Sequence, residues 1–288
     1  MRTSMKPEHR GVLLRLLINR AHGTFSESSL KGLPPEETAQ ASQHSISSAD
    51  IQPLLTHAQS VLPTIHYSWL YEQAKNQEPS FYTGIASCLS EEQKKGLCKM
   101  LKIEPPTRSL TPFLQKFYLQ HLYKTFPLLS DSLPVEYLPD SPLNALTRLK
   151  KKQLVELIDS LSMFDLAHEM RTIVGTKHLK NLYTCLSANQ QQFLRQCLHL
   201  KDRLTPPKLG LQTWNGEANE LLGKLHRRGL TRLALALSGQ HEDLIWAIVH
   251  KLDTGRGTLM KKLIKPEAVP GISEALILQL QMAIKGIT

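Results

Sequence analysis

The chain reads as a succession of short apolar stripes at helical spacing, separated by breaks rich in proline and serine. Residues 8–21 place Leu13, Leu14, Leu17 and Ile18 on one side of a helix, with Arg10, Arg15 and Arg20 mostly elsewhere. Such an amphipathic helix (domain 1–23) either folds back on the next helices or docks into a partner groove. Residues 24–53 carry Ser26-Glu27-Ser28-Ser29, Pro34-Pro35 and a serine-rich run from Ser42 to Ser48. They keep no sustained apolar period, which predicts a flexible linker. From there the helical periodicity persists to the end, in segments 54–138, 139–206 and 207–288.

The first two of these segments share a pattern. Cys88-Leu89-Ser90-Glu91-Glu92-Gln93 recurs as Cys185-Leu186-Ser187-Ala188-Asn189-Gln190. At the same offset Leu97 answers Leu194, Leu101 answers Leu198, Ile85 answers Leu182 and Glu72 answers Glu169. Ser90-x-x-Gln93 and Ser187-x-x-Gln190 both have the form of a capping box, in which the serine oxygen accepts from the third helical N–H and the glutamine reaches back. Behind each box Leu97/Cys98/Leu101 and Leu194/Cys197/Leu198 hold one apolar stripe. Leu110-Thr111-Pro112 returns as Leu204-Thr205-Pro206, and Thr111-Pro112 reads as an N-cap followed by proline at the first helical position. Phe113, Leu114, Phe117, Tyr118 and Leu122 follow on one face. Two such units are expected to stack, since neither hides its apolar face alone.

Between them the prolines from Pro127 to Pro142 mark a connection. Ser141-Pro142 then predicts the start of a long helix carrying Leu143, Leu146, Leu149, Leu154, Leu157, Ile158 and Leu161. Pro206-Pro207, Gly210 and Trp214-Asn215-Gly216 predict a domain boundary near residue 207.

Composition narrows the fold class. Aromatics make up only 6% against 41% hydrophobic residues, a leucine-dominated balance that suits stacked helices better than a sandwich or barrel. The class expected is therefore all-α. No apolar run approaches the roughly 20 residues that cross a bilayer. Arg15 interrupts the N-terminal apolar stretch and no small-residue cleavage site follows, so the expectation is an amphipathic helix on a chain that stays in the cytosol. Cys88, Cys98, Cys185 and Cys197 form no C-x-x-C pair and sit in apolar patterns, as reduced core residues do.

The net charge of +10 suits nucleic acid, an anionic membrane surface or an acidic protein. Small basic clusters stand at Arg148/Lys150/Lys151/Lys152, His226/Arg227/Arg228 and Lys261/Lys262/Lys265. No aromatic RNA-binding motif or zinc finger accompanies them, so solvated helix faces account for most of the charge. A basic helical-repeat protein that binds nucleic acid is the alternative reading. For catalysis, neither His168-Glu169 nor His241-Glu242 has a second histidine four residues on, and Gly255-Arg256-Gly257-Thr258 is too short for a phosphate loop. The pattern is that of a non-enzymatic scaffold with no cofactor and no metal.

Within the last third, Leu221-Leu222-Gly223-Lys224-Leu225-His226-Arg227-Arg228-Gly229 leads into the unbroken run Leu233-Ala234-Leu235-Ala236-Leu237-Ser238-Gly239. Gln240-His241-Glu242-Asp243 follows, and then Leu244, Ile245, Ile248, Val249 and Leu252. This order resembles the C-terminal domain of the flagellar motor switch protein FliG family, over about fifty residues. The family has a short helix, a turn, the Leu-Ala run, and a polar or acidic pair opening the next helix. The resemblance implies a compact FliG-C-like helical domain, and the upstream repeats agree loosely with the family's armadillo-like middle domain. One departure stands out. The family's arginine falls on Gly255, with Arg256 one position off, and its paired acids fall on Lys262-Leu263, beside Lys261. That reversal of charge puts torque generation in doubt. It leaves the role of a cytoplasmic adaptor, peripheral to the inner membrane, between the inner-membrane ring of a type III secretion or flagellar-type apparatus and its cytoplasmic ring or sorting platform, homo-oligomeric within the assembly. On the resemblance, Arg227, Arg228, Arg232, Arg256, Lys261, Lys262 and Lys265 are expected to stay in solvent as a basic partner-binding face, with Leu13, Leu14, Leu17 and Ile18 as a second contact.

Overall fold

The structure is a computed structural model. It describes residues 14, 31–32, 34–42, 61–107, 109–125, 138–173, 175–200 and 204–286. Among them there are twelve α-helices and no strand, so the chain is all-helical. Two compact units divide it, residues 1–138 and 139–288. Residues 139–206 therefore fall in one compact unit with 207–288. The boundary expected at 207 is not one, because the helices on its two sides pack on each other, as described below.

Helix α1 (Pro35–Ser42) lies inside the stretch expected to be a linker. It forms with little burial because Pro35 sits at its first position and Glu36 in its first turn, where proline costs nothing and an acid favours the helix dipole. The other α-helices described in the first unit are α2 (Tyr67–Ala74), α3 (Pro79–Cys88), α4 (Glu91–Leu101) and α5 (Pro112–Thr125). Helix α2 packs on α4, and α3 packs on α5. The capping box at Ser90 forms as read, and Thr111 Oγ1 accepts from Leu114 N at 3.5 Å to start α5. Leu70, Ile85, Leu97 and Leu122 are fully buried between the helices. The stripe on α5 is divided. Leu122 is buried, yet Phe113 is 80% exposed and Phe117 52%.

The second unit opens with a 3₁₀ helix, Pro142–Arg148, followed by α6 (Lys151–Met170). One long helix was expected here. Instead Leu149 and Lys150 are extended, and Gln153 Oε1 accepts from Lys150 N to begin α6. Then come α7 (Thr176–Thr184) and α8 (Ala188–His199), with the second capping box at Ser187. The starts of α7 and α8 repeat those of α3 and α4 at the offset seen in the sequence. After α8 the correspondence ends. Thr205-Pro206 opens no helix, since Pro207 holds Pro206 extended, and residues 204–210 run as a strap.

Beyond the strap lie α9 (Ala218–Leu237), α10 (Glu242–Lys251), α11 (Thr254–Leu263) and α12 (Ser273–Lys285). Helix α6 is the hub, packed against α8, α9 and α12. The turn that the resemblance implies before the Leu-Ala run is absent and α9 is continuous. Gly229 is there for packing: a Cβ on it would stand 1.8 Å from the carbonyl oxygen of Ile158, so only glycine lets α6 and α9 cross this closely. The Leu-Ala run forms the buried last turns of α9. It ends at Gly239 in the left-handed region, φ 75°, where Gly239 N donates to Lys265 O. Two buried serines pin that end. Ser238 Oγ donates to Ala234 O and accepts from Lys265 N, while Ser273 Oγ donates to Leu235 O and accepts from Val269 N.

Candidate functional site

An ionic centre sits where α6, α9 and α12 meet. Arg232, which the sequence placed in solvent, is 5% exposed. Its Nε and Nη2 both donate to Asp165 Oδ1, at 2.8 and 2.5 Å, and Nη1 donates to Gln279 Oε1. The guanidinium also lies 5.5 Å from the centre of the Phe164 ring. A charge this deep persists only when paired and saturated with hydrogen bonds, and here one carboxylate, one amide and one aromatic face supply the partners.

The strap is clamped beside this centre. Glu169, on the same face of α6 one turn beyond Asp165, accepts from Leu209 N and, at 2.6 Å, from Leu211 N. Arg228 donates to Pro207 O and Lys208 O, and stands 3.8 Å from Asp165 Oδ2. His178 Nε2 donates to Leu211 O at 2.6 Å. Two clefts of about 270 and 300 Å³ flank the strap, sharing Asp165, Thr205, Pro206 and Pro207 as walls. The first is mainly apolar, with Leu235, Ile272 and Leu276 opposite the prolines. Chemically this is an anchor: its carboxylates and guanidiniums hold backbone in place.

A second chain of polar contacts joins α6, α9 and α11. Arg256 Nε donates to His226 Nε2 at 2.7 Å, so the ring proton is on Nδ1, which donates to Asp159 Oδ1 at 2.6 Å. Arg256 also pairs with Asp253, whose Oδ1 caps α11 by accepting Arg256 N at 3.1 Å. On α10, burial pushes the Lys251 ammonium down to about 8, and its Nζ donates to Thr147 O and Leu149 O at the end of the 3₁₀ helix. Next to it, burial lowers His250 to about 4; its ring stacks on Trp246 at 4.1 Å and its Nδ1 donates to Trp246 O at 2.8 Å.

The seven cations expected on one basic face are thus dispersed. Arg232 is buried, and Arg228 and Arg256 are half-buried and engaged with carboxylates or carbonyls. Arg227, Lys261, Lys262 and Lys265 are exposed. Lys261 is exposed as a residue although its ammonium is partly desolvated, which lowers its pKa; its exposure is what governs access to a partner. Of the N-terminal residues, Leu14 is half-buried, while Leu13, Leu17 and Ile18 lie outside the described residues. The sequence reading missed Asp165, Glu169, Asp159 and Lys251. Among the described residues no group of three or more His, Cys, Asp or Glu is placed to hold a metal ion, and no helix is long and apolar enough to cross a membrane. No family model, curated protein or solved structure matches the chain.

Proposed function

We propose that the chain is a non-enzymatic, FliG-like adaptor. It sits in the cytoplasm against the inner membrane and links the inner-membrane ring of a type III secretion or flagellar-type apparatus to its cytoplasmic sorting platform. The observation that carries this reading is local. The Leu-Ala run closes α9 against the turn that follows α11, Gly239 takes the left-handed conformation, and α10 and α11 follow in the order of the resemblance. On that scaffold Lys262, at the first of the two positions where the motor family carries acids, and Lys261 beside it are exposed. An acidic ring subunit is the partner that such a reversal selects. The repeated α3–α4 and α7–α8 pairs supply armadillo-like helical surfaces for further subunits, and several copies act together in the assembly. The test is Lys261→Glu with Lys262→Glu in the full-length chain. Assembly of the secretion complex is lost while thermal stability changes by no more than about 0.5 kcal/mol, as for ordinary surface substitutions. A double variant that assembles and secretes normally overturns the reading.

A further inference from the structure

Helix α5 presents an exposed apolar face. Its inner side is packed on α3: Tyr118 lies over Gly84, and Phe81 stands 5.3 Å from Tyr118 and 4.7 Å from His121, centre to centre. Its outer side carries Phe113, Leu114 and Phe117, exposed to 80, 40 and 52%. Phe113 and Phe117 are one turn apart, and the Phe117 ring is braced edge-on by Tyr118 at 5.5 Å. Two exposed phenylalanines in register on one helix are a contiguous patch of the kind that marks an interaction surface, not scattered surface apolarity.

Charge decides what fits. Helix α5 contains Lys116, His121 and Lys124 and no acid, and α3, packed against it, contains no acid either. A second copy offering the same face would set lysine against lysine. In sequence the N-terminal stripe (Leu13, Leu14, Leu17, Ile18) stands among Arg10, Arg15 and Arg20, of the same charge sign as Lys116 and Lys124. We infer that the Phe113–Leu114–Phe117 face of α5 is a docking surface for an amphipathic helix of another protein, apolar at i, i+3/i+4 and acidic along its flanks. The surface stands on the first unit alone and is independent of the role proposed for Lys261 and Lys262.

The probe is a designed helical peptide of about five turns, with leucine at i, i+3/i+4 and glutamate elsewhere. Its control has lysine at every glutamate position. Fluorescence anisotropy against the full-length chain shows saturable binding of the glutamate peptide and none of the lysine peptide. Phe113→Ser with Phe117→Ser weakens binding at least about tenfold, and Lys116→Glu with Lys124→Glu does the same; circular dichroism shows both variants still helical. Failure of the glutamate peptide to bind, or equal binding to the parent and the Phe variants, overturns the inference. Self-association of the chain that the Phe substitutions abolish assigns the face to a second copy and overturns it too. So does a tenfold gain in peptide affinity on deleting residues 1–23, which would make the chain's own N-terminal segment the occupant.

Discussion

His250 is held neutral by its surroundings. Its folded pKa, about 4, lies below its ordinary value of 6.5, so between these limits the unfolded chain binds more protons than the folded one. Stability must then rise with pH from about 4 to 6.5, and fall as the solution is acidified through that window. The loss attributable to this one ring is up to about 3 kcal/mol. His250→Phe keeps an aromatic ring beside Trp246 and removes the titration. Urea midpoints for that variant should fall less between pH 7 and pH 4.5 than those of the parent. Asp165 and Arg232 give a second prediction at this scale. Asp165→Asn leaves the guanidinium buried with its counter-charge gone, and should cost about 3–5 kcal/mol in urea unfolding. Asp165→Leu combined with Arg232→Met should recover most of that loss. From sequence Arg232 was placed in solvent on its charge alone, and Asp165 was passed over. Arg232 falls in the stripe Leu221, Leu225, Gly229, Arg232, Ala236, and Asp165 in the stripe Leu154, Ile158, Leu161, Asp165. In each the apolar period had already assigned the position to the core.

The capping boxes are where local sequence dictates structure most directly, because the chemistry lies within four residues. Ser90 with Gln93 and Ser187 with Gln190 form as read, and they start helices at matching places in the two units. The two glutamines are not equivalent, however. Gln93 is 5% exposed, and its Nε2 also donates to Leu62 O and Ile65 O at 2.8 and 2.7 Å. Gln93→Ala therefore removes the donor to Ile65 O, takes one of two donors from Leu62 O, which keeps Ile65 N, and should destabilise the first unit by about 2–3 kcal/mol, while Gln190→Ala loses a cap worth about 1 kcal/mol in the second. Denaturant midpoints of the two variants compare them directly. The 3₁₀ helix was also legible in hindsight. Leu143, Leu146 and Leu149 recur every three residues, which lines them up in a 3₁₀ helix, and all three are buried. Reading them together with Leu154 and Leu157 as one 3.6-residue period hid the break before Lys151. The strap defeated sequence reasoning for a different reason. Thr205-Pro206 copies the start of α5, but its fate is set by Pro207 and by Glu169 and Arg228, residues distant in the chain.

At the scale of the molecule, the all-helical class followed from composition and period, whereas the grouping of helices did not. Local similarity ties residues 72–101 to 169–198, yet the compact units divide at 138 and join α6 to α9 and α12. What joins them is the Gly229 crossing and the Arg232–Asp165 pair, both between partners far apart in sequence, so that the period places each residue in the core without naming its partner. The adaptor role we propose rests on a different link, the exposed lysines Lys261 and Lys262 of α11. Its most direct test is affinity purification of the tagged full-length chain from the organism that carries it, with partners identified by mass spectrometry before and after nuclease treatment. The adaptor account predicts inner-membrane-ring and sorting-platform proteins, retained through nuclease treatment and released by Lys261→Glu with Lys262→Glu. Complexes that dissolve on nuclease treatment and weaken steeply with salt would contradict it, and would identify the chain as a nucleic-acid-binding protein.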